Sequence, residues 1–244
     1  MTDPTYEDLN TGSITIRPFH DIGAVLGPTI KLFFRNFWLI TKIVVVIVAP
    51  FEVFRILKLE EIPYNWQLTA GIFILDELCR VLIAPALIYA LMKVVQTGVA
   101  PGVNESYRWG FSKLGKLIVC ATISFILQAL GFALCIIPGI IVFLSLILVY
   151  PIVTLEDSSI TGAFKSSRDA TKGHRWNILG ASFLLGLIMG VPEVVAGFFA
   201  TATSFPWPLQ VAAAILSDIF EQSMTVLSLV TYLSISALWS QSTQ

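Results

Sequence analysis

YPIVTLEDSSITGAFKSSRDATKGHRWNILG, residues 150–180, is the stretch on which the fold turns. Asp157, Ser158 and Ser159 carry side-chain oxygens that accept the free amides of a first helical turn. A helix is expected from there to about Lys172, with Gly173 as its stop. Ile160, Ala163, Phe164 and Ser167 recur at i, i+3, i+4 and i+7 and make a narrow apolar face. Lys165, Arg168, Lys172 and Arg175 form the polar side. Low hydrophobicity with a one-sided pattern suits a helix lying among lipid headgroups. An ordinary solvated helix fits the same residues, because the stripe is thin.

Outward from this stretch the chain turns apolar in both directions. Of its 244 residues 56% are hydrophobic and 13% charged, against about 25% charged in soluble domains. A mean hydropathy of +0.81 puts membrane first among the classes. The net charge of −1 leaves no basic field for nucleic acid. Cys79, Cys120 and Cys135 sit in apolar runs without CxxC spacing and read as small core residues. No metal site and no cofactor motif is expected.

In chain order, Met1–Arg17 is polar, lacks the features of a signal peptide and reads as a disordered tail, 1–20. The rest, 21–240, reads as a single transmembrane domain. Asp21–Phe37 places Ile22, Val25, Leu26, Ile30, Phe33, Phe34 and Phe37 on one face and reads as a first surface helix. Six spans follow at about 38–57, 68–95, 117–137, 140–155, 176–191 and 209–239, long enough for a hydrocarbon core near 30 Å. Glu60–Trp66 is a turn with aromatic anchors. Asn104 is placed to cap a further short helix through Ser112. Pro138-Gly139 makes the turn between spans three and four; Pro192-Glu193 ends span five, and Val194–Thr203 either extends it or forms a re-entrant piece. The fold class is therefore all-α: a polytopic membrane helix bundle with amphipathic surface helices.

Arg17, Lys31, Arg35, Lys42, Lys93, Arg108, Lys113, Lys116 and the four cations of 165–175 gather at one side; Arg55 and Lys58 alone face them. The positive-inside rule makes the crowded side cytoplasmic, with both termini there. The location implied is the cell (inner) membrane.

Gly23-Ala24-Val25 before Phe37-Trp38-Leu39 matches Gly162-Ala163-Phe164 before Trp176-Asn177-Ile178 at the same offset. Ser106–Lys116 stands between them. Three repeated units, each a surface helix and a two-span hairpin, account for this. So does topology alone, which asks for basic residues at each inward end.

The Tyr150-Pro151 helix end, TLED (154–157), GAFKSSRDATKG (162–173) and WNIL (176–179) together resemble the glycerophosphoryl diester phosphodiesterase membrane-domain-like family. DIGAVLGPTIKLFFRNFWLI (21–40) and IIPGIIV (136–142) are similar to it as well. The resemblance covers most of Asp21–Gly190 and implies a multi-pass membrane domain. It departs near the end, where Thr231-Tyr232-Leu233-Ser234-Ile235 stands in place of a Tyr-Tyr-Asp-Leu-Arg-like run. The catalytic barrel in the family's name is a separate domain of about 250 residues and is not expected in this chain.

Charges inside the spans are the candidates for chemistry. Glu52 lies in span one, Asp76, Glu77 and Arg80 in span two, Asp218 and Glu221 in span six. Arg80 is within helical reach of both Asp76 and Glu77. Helical rise puts the whole set at one depth, roughly 20–30 Å from the basic side. An ionisable group in hydrocarbon is a functional candidate by default. One reading is an outward-facing polar cavity for a cation, a proton or a headgroup. The other starts spans two and six later, near Leu78 and Gln222, and leaves these residues at the interface; the excess length of both spans favours it.

GxSxG, HExxH, P-loop and Rossmann patterns are absent from the sequence. The expected function is a non-enzymatic scaffold or accessory subunit in membrane, lipid or envelope homeostasis. Its partners would be the bilayer, anionic headgroups at Lys165, Arg168, Lys172 and Arg175, and a membrane or cytoplasmic protein. A transporter component using the polar cluster is the alternative, and a lipid-modifying enzyme the second.

Overall fold

The computed structural model describes residues 18–59, 66–156, 158–201 and 205–242. The tail Met1–Arg17, the cap candidate Asp157 and the 60–65 part of the aromatic turn lie outside them. Ten helices run through the described residues: α1 Gly23–Arg35, α2 Phe37–Phe54, α3 Trp66–Thr97, α4 Val103–Leu134, α5 Ile136–Leu146, α6 Val149–Leu155, α7 Ile160–Thr171, α8 Arg175–Thr201, α9 Trp207–Glu221 and α10 Ser223–Ser242. A π-helical turn, Arg55–Leu59, extends α2. No strand occurs among the described residues.

Six segments are long and apolar enough to cross a bilayer: Phe37–Leu57, Ile74–Thr97, Val103–Leu134, Ile136–Leu155, Arg175–Thr201 and Trp207–Leu238. The chain is a multi-pass membrane protein of the all-α class. Its outer surface agrees. The second half of α4 exposes Ile118, Val119, Phe125, Ile126 and Leu130, and α8 exposes Phe183, Leu187, Val191, Val194 and Phe198. Side chains like these face lipid tails at no loss. The first half of α4 exposes Asn104, Glu105, Arg108 and Ser112 instead, so the same helix leaves the apolar belt. At 32 residues, α3 and α4 are each about 48 Å long, beyond the ~30 Å of hydrocarbon.

The core lies where α3 and α10 meet. Val81, Leu87 and Leu91 of α3 and Val226, Leu227, Val230 and Leu233 of α10 are almost wholly buried there. Helix α1 runs antiparallel along α10: the Phe19 amide donates to the Ser234 carbonyl (3.3 Å), and Phe33 stacks on Phe220 at 6.0 Å. Its apolar face therefore covers protein. Small residues let α8 and α9 approach, with Ala196, Ala200 and Ala214 buried and the Ser217 hydroxyl donating to the Glu193 carbonyl (3.3 Å).

Helix α7 keeps the expected boundaries. Ser159 accepts the Gly162 amide at 3.1 Å as its cap, and Gly173, at φ +90°, ends it in a conformation that only glycine adopts freely. Its narrow face, however, is turned onto the spans. Ala163 and Ser167 are fully buried, and the Ser167 hydroxyl donates to the Ser145 carbonyl (2.7 Å).

Several boundaries differ from those read in the sequence. Asn104 caps nothing: Gly102 holds the cap position, and α4 runs unbroken from Val103 through the Ser106–Lys116 segment into span three. No proline interrupts it, and Gly110 and Gly115 each oppose a helix by only ~1 kcal/mol. The middle of the three supposed units thus has no separate surface helix. The turn between spans three and four is at Cys135, which is extended (φ −177°, ψ 162°) and exposed, not a core residue. Pro138 sits in the first turn of α5, where a missing N–H leaves no bond unmade. Span four is α5 plus α6, broken at Ile147–Leu148. Span five runs past 191, and of the two readings of Val194–Thr203 the extension holds through Thr201, since one lost backbone bond at Pro192 does not stop a helix packed along α9. Span six is broken at Gln222, between α9 and α10.

Candidate functional site

Span two and span six bring their charges together. Arg80 of α3 donates to Asp76, one turn back, at 3.0 Å, and its other terminal nitrogen meets Glu221 of α9 at 2.5 Å. The pair joins two helices distant in sequence. Asp218, one turn before Glu221, stands within Coulombic reach of Glu52, Asp76, Arg80 and Glu221. Glu52, only 5% exposed, pairs with Arg55 at 2.5 Å and so has a cation of its own. The helices that carry these residues start well ahead of them, α3 at Trp66 and α9 at Trp207.

Beside the ion pairs lies a cavity of about 350 Å³ between α3, α4, α5, α6, α9 and α10. Glu77, Arg80 and Glu221 line its charged end. Ser124, Gln128, Tyr150, Gln222, Thr225 and Ser228 give it hydrogen-bonding walls, and Ala84, Phe143, Leu146, Ile147 and Met224 an apolar side. That size and mixture are those of a small-molecule pocket. Five of the six residues singled out in the sequence, all but Glu52, are gathered around Arg80 or on this wall.

The sequence reading passed over the neutral wall and Glu193. Glu193 of α8 lies within Coulombic reach of Arg80 and Glu221. It looked like a helix end only because Pro192 precedes it. The wall had a signal: Ser124 and Gln128 stand four apart in an apolar helix, and Gln222, Thr225 and Ser228 three apart. Each set therefore shares one helix face.

A second concavity is built on α7. Lys165, Arg168, Lys172 and Arg175 all border one groove with Asp169, against Leu127, Ile141, Val142, Leu146 and Phe164. Arg175 Nε is buried there and has no acceptor. Helix α5 partitions the two sites, with Leu146 contributing to both.

A third cluster holds the α3–α4 hairpin. Glu105 accepts from Lys93 (2.5 Å) and from the Tyr89 hydroxyl (2.8 Å), and Tyr89 stacks on Trp109 at 5.1 Å. The Tyr107 hydroxyl donates to the Ile43 carbonyl at 2.5 Å and ties α4 to α2. Gly110 permits the close approach, because a Cβ there would stand 3.1 Å from the Ala86 amide nitrogen. This cluster is structural in character.

Among the described residues no group of three or more His, Cys, Asp or Glu could hold a metal ion. No curated protein and no solved structure matches the chain. One family model does, described as a domain of unknown function (DUF7847), and it takes in residues 74–241, from the charged turn of α3 to the end of α10. With well over half its length inside that match, the chain belongs to the DUF7847 family.

Proposed function

We propose that this protein is a non-enzymatic scaffold or accessory subunit of the cell (inner) membrane that holds an anionic phospholipid in the groove on α7. The observation that carries this is the lining of that groove: four cations against one carboxylate, Asp169, together with five apolar side chains. A phosphate headgroup satisfies the first and an acyl chain the second. Each Lys or Arg near an anionic surface contributes about 1 kcal/mol. The unmet donor at Arg175 Nε asks for an acceptor of that kind. The excess of Lys and Arg at this side supports a cytoplasmic orientation for it and for both termini. Kinship to the glycerophosphoryl diester phosphodiesterase membrane-domain-like family, read from the motifs of Asp21–Gly190, belongs to the same proposal. A partner in the membrane or the cytoplasm would complete the accessory role. The polar cavity favours a second reading, a transporter component.

The test is lipid retention. The purified chain, exchanged into nanodiscs of mixed phosphatidylglycerol and phosphatidylcholine, is stripped with detergent and weighed by native mass spectrometry. Phosphatidylglycerol should stay bound in preference to phosphatidylcholine. Replacing Lys165, Arg168 and Lys172 together by Gln should abolish the preference and leave the melting temperature near that of the parent. Equal retention of the two lipids by the parent chain would sink the proposal.

A further inference from the structure

We propose that the cavity on the other side of α5 is a binding site for a small amphiphilic organic cation, its protonated amine directed to Glu77 and Glu221. The charge balance comes first. The single guanidinium of Arg80 has five carboxylates within Coulombic reach, those of Asp76, Glu77, Glu193, Asp218 and Glu221. Arg80 is engaged by Asp76 and Glu221. Glu77 lines the cavity with no ion pair or hydrogen bond of its own among the described residues. A carboxylate excess next to apolar walls favours a cation and disfavours an anion.

An independent observation points to an occupant. Ser124 is 4% exposed and lines the cavity, yet its hydroxyl has no hydrogen-bond partner. Serines and threonines in apolar helices usually bond back to their own backbone, as Thr122 does to the Ile118 carbonyl (2.9 Å) and Ser145 to that of Ile141 (2.7 Å). Ser124 does not, and an unmet buried hydroxyl costs about 1–3 kcal/mol. A ligand hydroxyl or amine in the cavity meets that need.

The class of ligand follows from the remaining walls. A hard metal ion is a poor match, because Arg80 sits among the carboxylates, Phe143, Leu146 and Ile147 offer it nothing, and Met224 offers only a soft thioether. Those four side chains suit a short hydrocarbon body. The site therefore reads as a slot for an amine with an apolar tail that fits within about 350 Å³.

Three probes of one shape and different charge test this on the full-length chain in detergent: 2-phenylethylamine, 2-phenylethanol and 3-phenylpropionate. Calorimetry should show the amine binding at least tenfold more tightly than the alcohol, and the acid more weakly still. Glu77→Gln should weaken the amine tenfold or more with little effect on the alcohol. Ser124→Ala should weaken it a few-fold and leave the selectivity in place. Equal binding of amine and alcohol by the parent chain overturns the proposal, as does no binding of any probe. So does an amine affinity unchanged in a folded Glu77→Gln variant. The comparison of probes needs no variant, and none of these outcomes depends on the lipid groove.

Discussion

Arg80 of α3 and Glu221 of α9 form an ion pair of 2.5 Å that links span two to span six across 141 positions of sequence. Because Asp76 holds the same guanidinium, removing Arg80 leaves two carboxylates facing each other. Arg80→Met should destabilise the fold by roughly 1–3 kcal/mol, less than a fully buried pair because the guanidinium is partly exposed. Adding Glu221→Gln should return part of that loss. Thermal melting of the purified chain reads both. Identical melting of the single and double variants would mean that the pair does not couple the helices.

The close approach at Gly110 is a matter of backbone against side chain. A methyl there must be accommodated by Ala86, whose amide nitrogen cannot swing aside. Gly110→Ala should be mildly destabilising, and Gly110→Leu should cost about 1–3 kcal/mol or more by forcing α3 from α4. The same melting assay, with Gly115→Leu as the control at a position with open space, separates crowding from loss of a glycine.

The ends of α7 predict a local effect. Ser159→Ala removes the cap and should destabilise the helix by about 0.5–2 kcal/mol. Gly173→Ala places a side chain at positive φ and should cost about 1 kcal/mol. Hydrogen exchange should quicken in 160–171 for both variants while α3 and α10 keep their protection.

Orientation can be read from a native residue. Cys135 is exposed at the α4–α5 turn, whereas Cys79 and Cys120 are buried. With the basic side cytoplasmic, a membrane-impermeant maleimide should label Cys135 in intact cells. A Cys135→Ser, Arg168→Cys variant should label only after lysis. The reverse pattern would invert the proposed topology.

How much of this was legible depends on which faces lipid and protein give different signals. The spans were legible because uninterrupted apolar length is enough to mark them, and α7 because Ser159 and Gly173 punctuate it in water-like sequence. The partners of each span were not. A helix in lipid is apolar on its buried and its exposed face alike, so periodicity does not tell Leu87, which is buried, from Leu187, which is exposed. The breaks at Cys135, Gln222 and Ile147–Leu148 carry no proline or glycine at the break itself, and Pro192, which looked like a stop, lies inside α8. Charged residues in apolar runs were visible singly. That Glu193 joins them depends on α8 packing against α9, a contact that no local pattern encodes.

The interruption at Gln222 falls one residue after Glu221 and before Thr225 and Ser228, so it divides the cavity wall between two rigid rods. Its counterpart, Asn36, interrupts the α1–α2 run beside it, with Phe37 against Phe220 at 6.4 Å. The Glu221 carboxylate is therefore positioned by α9, whereas Thr225 and Ser228 are positioned by α10. Charge and hydroxyl thus reach the chamber from two separate rods, and the seam between those rods lies in its rim.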